Sequence, residues 1–115
     1  MMTPAAAPQL TLEIEHQGTT TLVKCHGKLV SGVTDVLYSG VKQHIAGSKR
    51  IILDLSDLAY MDSMGLGTVM RLYVSCRASG CTLELINIGK RIRNLLELTN
   101  IWSMFATVGE HGIKF

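Results

Sequence analysis

KRIILDLSDLAYMDSMGLGTVMRLYVSCRAS, from Lys49 to Ser79, joins a hydrophobic strand to a long helix through an acidic, serine-bearing turn, and the rest of the chain reads as support for that junction. Ile51-Ile52-Leu53 and Leu55, interrupted only by Asp54, form a continuous apolar run, the pattern of a central strand covered on both faces. Leu66, Val69, Met70, Tyr73 and Cys76 or Arg77 recur at three- and four-residue steps, which makes one apolar stripe on a helix from about Ser63 to Ala78 that Gly80 stops. Between the two lies the turn, Ser56 to Asp62.

Upstream, Leu10, Leu12 and Ile14 alternate with Thr11, Glu13 and Glu15, a half-exposed edge strand. Thr19 to His26 is a second, β-branched strand, and Gln17-Gly18 between them makes an antiparallel hairpin. Gly27 to Gly32 reads as a loop, after which Val33, Val36, Leu37, Val41 and Ile45 mark one helix face, capped by Ser31 or Thr34 and ended by Gly47. Downstream, Cys81 to Ile88 is a further apolar strand, and Gly89-Lys90-Arg91 opens a helix with Ile92, Leu95 and Leu96 inward. Ile101, Trp102, Met104 and Phe105 form an apolar cluster, and Ala106 to Val108 could add a short last strand. Two strands followed by alternating helices and strands describe an α/β domain whose later strands run parallel.

With 115 residues and 47% hydrophobic content, one core is expected over residues 10–115, behind a disordered tail at residues 1–9. The net charge of +2 is mixed along the chain without a basic arm, which argues against nucleic acid. Cys25, Cys76 and Cys81 lack CxxC spacing and read as small buried hydrophobes in a reducing compartment. No charged-then-apolar leader opens the chain and no apolar run reaches the roughly 18 residues of a membrane span, so no membrane insertion and a cytoplasmic location are expected.

Ser63 stands where a helix begins, and the unpaired amides and positive dipole end there favour an anion, so a phosphate on Ser63 would sit well. Equally, Ser63 or Asp62 could be a plain N-cap. Gly65 and Gly67 each cost roughly 0.5–1 kcal/mol of helix propensity relative to alanine, which points to a steric demand such as close approach of another chain. Met64 is either core or an exposed, adaptable contact. Asp54, Asp57 and Asp62 also admit a Mg²⁺ site, but spacing does not show convergence. A nucleophile elbow is excluded because Met61 replaces the glycine two before Ser63, and Gly89-Lys90-Arg91 lacks the first glycine and the hydroxyl of a P-loop. His16, His26, His44 and His111 show no metal spacing. Neither a catalytic site nor a cofactor is expected.

Ile51-Ile52-Leu53-Asp54-Leu55-Ser56 followed by Met61-Asp62-Ser63-Met64-Gly65-Leu66-Gly67 closely resembles the signature of the STAS family, the anti-sigma factor antagonists of the SpoIIAA type. Leu83 to Asn87 and Ile92 to Thr99 resemble that family's next strand and helix. The resemblance implies a STAS fold, a mixed four- to five-stranded β-sheet with helices mainly on one face. It also implies a non-enzymatic, phosphorylation-switched binding module in transcription regulation. Unphosphorylated, such a protein binds an anti-sigma factor that is also a GHKL-type serine kinase and so frees a sigma factor; phosphorylation inactivates it, and a PP2C-type phosphatase resets it. The acceptor maps onto Ser63, with Asp62, Met64, Gly65 and Leu66 at the partner contact. Relatives often carry Gly-x-Leu-Asp where this chain has Gly27-Lys28-Leu29-Val30. The alternative is a non-switched STAS subunit of a stressosome or an ABC-type lipid-transport complex, in which Ser63 is only a cap.

Overall fold

The alternation of period-two and period-3.6 segments folds into β1 (Leu10–Gln17), β2 (Thr20–Leu29), α1 (Thr34–Ile45), β3 (Arg50–Met61), α2 (Ser63–Ala78), β4 (Thr82–Ile86) and α3 (Lys90–Leu98) in a computed structural model that describes residues 9–99. The strands form one sheet in the order β1-β2-β3-β4, with β1 antiparallel to β2 and the other neighbours parallel. This is the mixed α/β architecture expected, with four strands among the described residues. The residues ahead of Gln9, the cluster Ile101 to Phe105 and the strand expected at Ala106 to Val108 lie outside the described residues.

Register explains the core. Ile14, Val23, Leu53 and Leu85 lie side by side across the four strands. Val23, Leu53 and Leu85 are at most 1% exposed and Ile14 packs against them. Above this face, α1 reaches β1 and β2, α2 reaches β3 and β4, and the two helices touch each other. Leu37, Val41 and Ile45 of α1 and Leu66, Val69, Leu72, Tyr73 and Cys76 of α2 are buried, each apolar side chain so enclosed contributing roughly 1.5–3 kcal/mol. The three cysteines are free and buried as expected, and burial first pushes the thiols of Cys25 and Cys76 up to about 12.

Several boundaries differ from the sequence expectation. β3 does not end at Leu55 but runs to Met61, and β2 runs on to Leu29, because the two strands stay paired in parallel to Leu29↔Met61 through two register shifts. Beyond Asp54 the β4 pairing stops, so β3 is half-exposed there and takes Ser56, Asp57, Ala59 and Tyr60, which disguise it as a turn. The N-cap of α1 is Val33 with no side-chain cap, not Ser31 or Thr34, and Val36 is 42% exposed. α2 ends as expected at Gly80, whose φ of 74° suits glycine: Gly80 N–H donates to the Arg77 carbonyl and Cys81 N–H to the Cys76 carbonyl, a Schellman stop.

The sheet face turned away from α1 and α2 is polar and internally paired. Glu84, 2% exposed, forms a forked ion pair with Arg50. Asn87, at φ 56°, donates to Asp54, whose carboxyl stays below its ordinary value because donation from Asn87 and Ser56 outweighs the opposing effect of burial. His26 bridges Asp57 and Glu13 with its two ring nitrogens, which raises its pKa above the ordinary 6.5, Asp57 contributing first and Glu13 second. A raised folded pKa means that this clamp stabilises fully below pH 6.5 and is lost as pH rises through the folded value. His26→Gln is therefore expected to lower Tm more at pH 6 than at pH 9, which thermal melts of both proteins across that range would check.

Candidate functional site

The parallel pairing of β2 and β3 brings their carboxyl ends side by side, the edge of an open α/β sheet where sites collect. The expected seven-residue turn is a single residue there: Met61 closes β3, Asp62 is extended at φ −100° and ψ −177°, and Ser63 opens α2. Asp62 N–H donates to the Leu29 carbonyl at 3.2 Å, seating the turn on the end of β2. Its Oδ1 accepts from Gly65 N–H at 2.9 Å, and its Oδ2 accepts from Ser31 N–H at 2.9 Å. Asp62 is thus both the cap of α2 and a clip on the β2–α1 loop. Those donors, Ser31 first and Gly65 second, hold its carboxyl below the ordinary 3.8.

This geometry assigns the cap to Asp62 and not to Ser63. Ser63 is exposed, and among the described residues no hydrogen bond holds its hydroxyl. It also changes the expected fit of a phosphate: the Asp62 carboxylate already occupies the amide-lined start of α2, so a phosphate on Ser63 would stand beside a fixed negative charge. Met64 is 58% exposed beside it. Gly65 and Leu66, expected at the partner contact, face inward. Leu66 is 2% exposed, and a Cβ on Gly65 would lie 2.2 Å from the Leu29 carbonyl oxygen, so the steric demand on this glycine comes from the chain's own β2. Gly67 is exposed with nothing within 4 Å of its Cβ position. The surface that the turn offers is Ser63, Met64 and Gly67.

Asp54, Asp57 and Asp62 do not converge. Asp54 is held by Asn87 and the Ser56 amide, Asp57 by His26, and Asp62 by Ser31 and Gly65. Among the described residues no group of three or more His, Cys, Asp or Glu side chains could hold a metal ion. Since β3 continues at about 3.3 Å per residue, Asp57 lies on the order of 15 Å or more from Ser63 and Asp54 farther still, leaving Asp62 as the charge next to it. Sequence reasoning missed Ser31 and Leu29, whose contributions are backbone atoms. Their signal was positional: a loop at the carboxyl end of a strand parallel to β3.

Asp62→Ala removes both the cap and the clip and is expected to cost about 2 kcal/mol at neutral pH. Because the folded pKa of Asp62 is lowered, its contribution is complete above 3.8 and disappears as pH falls through the folded value. Denaturant titrations of wild type and variant should accordingly give curves that separate at pH 7 and converge in acid.

A four-stranded mixed sheet with its helices packed above it and a capped, serine-bearing start of α2 defines an α/β module of the STAS class. The chain belongs to the STAS domain family, whose description matches residues 11–111. It is 24% identical over 97 residues to an anti-sigma F factor antagonist of Paenibacillus polymyxa, covering 83% of each chain. The fold is shared with an anti-sigma factor antagonist from Mycobacterium paratuberculosis at a TM-score of 0.75 and 19% identity, over 86% of each chain. SpoIIAA in its unphosphorylated form gives a TM-score of 0.70 at 19% identity, over 79% of this chain and 82% of that one. The phosphorylated form of the Bacillus protein gives 0.66, also at 19%, over 81% and 86%. Among the described residues no helix is long and apolar enough to cross a membrane.

Proposed function

We propose that this chain is an anti-sigma factor antagonist: it binds an anti-sigma factor that is also a GHKL-type serine kinase, frees a sigma factor, and is inactivated when that kinase phosphorylates Ser63. The observation that carries the proposal is the exposed Ser63 hydroxyl at the first position of α2, relieved of capping by Asp62. The kinase supplies ATP and the catalytic groups; this chain supplies the acceptor oxygen and the surface around it. Ser63, Met64 and Gly67 form the contact, while Asp62, Gly65 and Leu66 set its shape from within. A PP2C-type phosphatase reverses the modification in the cytoplasm. Kinship with the Paenibacillus antagonist and a fold known in phosphorylated and unphosphorylated forms in SpoIIAA support this reading.

Incubation with the cognate anti-sigma kinase and ATP, followed by mass-spectrometric mapping, tests it. One phosphate on Ser63, absent from Ser63→Ala, is expected. No phosphate, or a phosphate elsewhere, would favour a non-switched STAS subunit.

A further inference from the structure

The face away from α1 and α2 mixes Glu13, Glu15, Asp54, Asp57 and Glu84 with Lys24, His26 and Arg50, whereas α1 and α2 together carry Asp35 against Lys42, Arg71 and Arg77, a basic excess. On α2, Met64, Gly67, Arg71, Val74 and Ala78 follow one another at three- and four-residue steps and are all exposed, Val74 by 62%. This stripe begins one residue after Ser63 and runs the length of the helix.

Beside the stripe, against α1, lie two hollows that share Ser75 as a wall. The first, about 370 Å³, is lined by Tyr38, Met70, Arg71 and Val74; the second, about 340 Å³, by Lys42, Ile45, Ala46 and Ala78. Together they extend from Met70 to Ser79, about 14 Å at the helical rise, enough for two to three turns of another helix. The Arg71 guanidinium sits 4.0 Å and the Lys42 ammonium 5.3 Å from the centre of the Tyr38 ring. The ring face holds both cations in place at the mouth of an apolar trough. Among the described residues neither makes an ion pair. Two carboxylates one turn apart on an incoming helix, about 5–6 Å between their Cβ atoms, would reach both. A small ligand fits less well, because its site would enclose most of its surface and this trough is open along its side.

We propose that the α1–α2 groove docks an acidic amphipathic helix of the same protein partner that meets Ser63, with apolar residues on Met70, Val74 and Ala78 and carboxylates on Arg71 and Lys42. The inference rests on the reading of the chain as an antagonist switched at Ser63 and extends its contact along α2 to α1.

The test uses the full chain and the anti-sigma factor kinase, with affinity measured by calorimetry at several salt concentrations. Lys42→Glu/Arg71→Glu is expected to weaken the complex at least tenfold and to flatten its salt dependence, with Tm close to wild type because both side chains lie on the surface. Val74→Ser is expected to weaken it several-fold without changing the salt slope. Unchanged or tighter binding by the double variant overturns the groove while leaving the Ser63 switch intact. If the wild type itself neither binds nor is phosphorylated at Ser63, both fall. Self-association of the chain, or binding to phosphatidylglycerol vesicles, that the double variant abolishes while kinase affinity stays constant would assign the groove to a second copy or to a membrane surface and likewise overturn the inference.

Discussion

Gly65→Ala is expected to lower stability by about 2 kcal/mol, roughly 10 °C in Tm for a domain of this size, whereas Gly67→Ala is expected to raise stability by about 0.5–1 kcal/mol. Both glycines lie in the first turns of α2, where alanine is the better helix former by up to about 1 kcal/mol. At position 67 nothing stands within 4 Å of a Cβ, so the whole propensity gain is realised. At position 65 the Cβ would meet the Leu29 carbonyl oxygen at 2.2 Å, Leu29 Cγ at 2.8 Å and the Leu29 carbonyl carbon at 3.0 Å. A side chain could rotate away from such a contact, but two of these atoms are backbone. That same carbonyl accepts the Asp62 N–H, so relief of the clash pulls apart the seat of the turn. An overpacking cost of about 3 kcal/mol against a gain of about 1 leaves the net loss. Thermal and urea unfolding followed by circular dichroism would check the pair. Equal shifts in the same direction would mean that α2 does not bear on β2 as described.

Ser63→Asp is expected to weaken binding to the anti-sigma kinase by about 100-fold, while Ser63→Ala binds within about threefold of wild type but escapes phosphorylation. A hydroxyl can be desolvated in a protein contact at little cost, but a charge buried there without a partner costs about 2–5 kcal/mol. The phosphate adds about −1.5 to −2 charges at neutral pH, more than aspartate, so the phosphorylated chain should bind more weakly still. The local geometry sharpens the effect. Asp62 already takes the Gly65 amide, so an added anion at position 63 finds a carboxylate beside it instead of an empty cradle. Since Ser63 is exposed, both substitutions should leave Tm nearly unchanged, which separates loss of contact from loss of fold. Similar affinities for the two variants would count against the switch.

Much of this fold was legible because its signals are local. The apolar run Ile51 to Leu55, the three- and four-residue spacing of α2 and the stop at Gly80 each depend on a few neighbouring residues, and β3, α2 and the Schellman stop stand where they pointed. The far half of β3 was not legible, because Ser56 to Met61 pairs with β2 while Ser56, Asp57, Ala59 and Tyr60 stay exposed and only Leu58 and Met61 are buried, and the chain carries no local mark of that pairing. The site divided in the same way. Ser63 at a helix start and Asp62 as a possible cap could be read directly, but the second role of Asp62, its hold on the Ser31 N–H of a loop 31 positions earlier, could not.

The sequence by itself determined the α/β order, the parallel later strands, the buried cysteines and the serine at the start of α2, since hydrophobic periodicity and helix-end chemistry are properties of short segments. Tertiary structure alone decided the roles of two like residues. Gly65 is pressed against Leu29 and Gly67 lies open, because only the packing of α2 on the end of β2 separates one helix face from the other. It likewise decided that Asp62 fills the amide site and leaves Ser63 to solvent, because the amides that meet its two oxygens come from different parts of the chain.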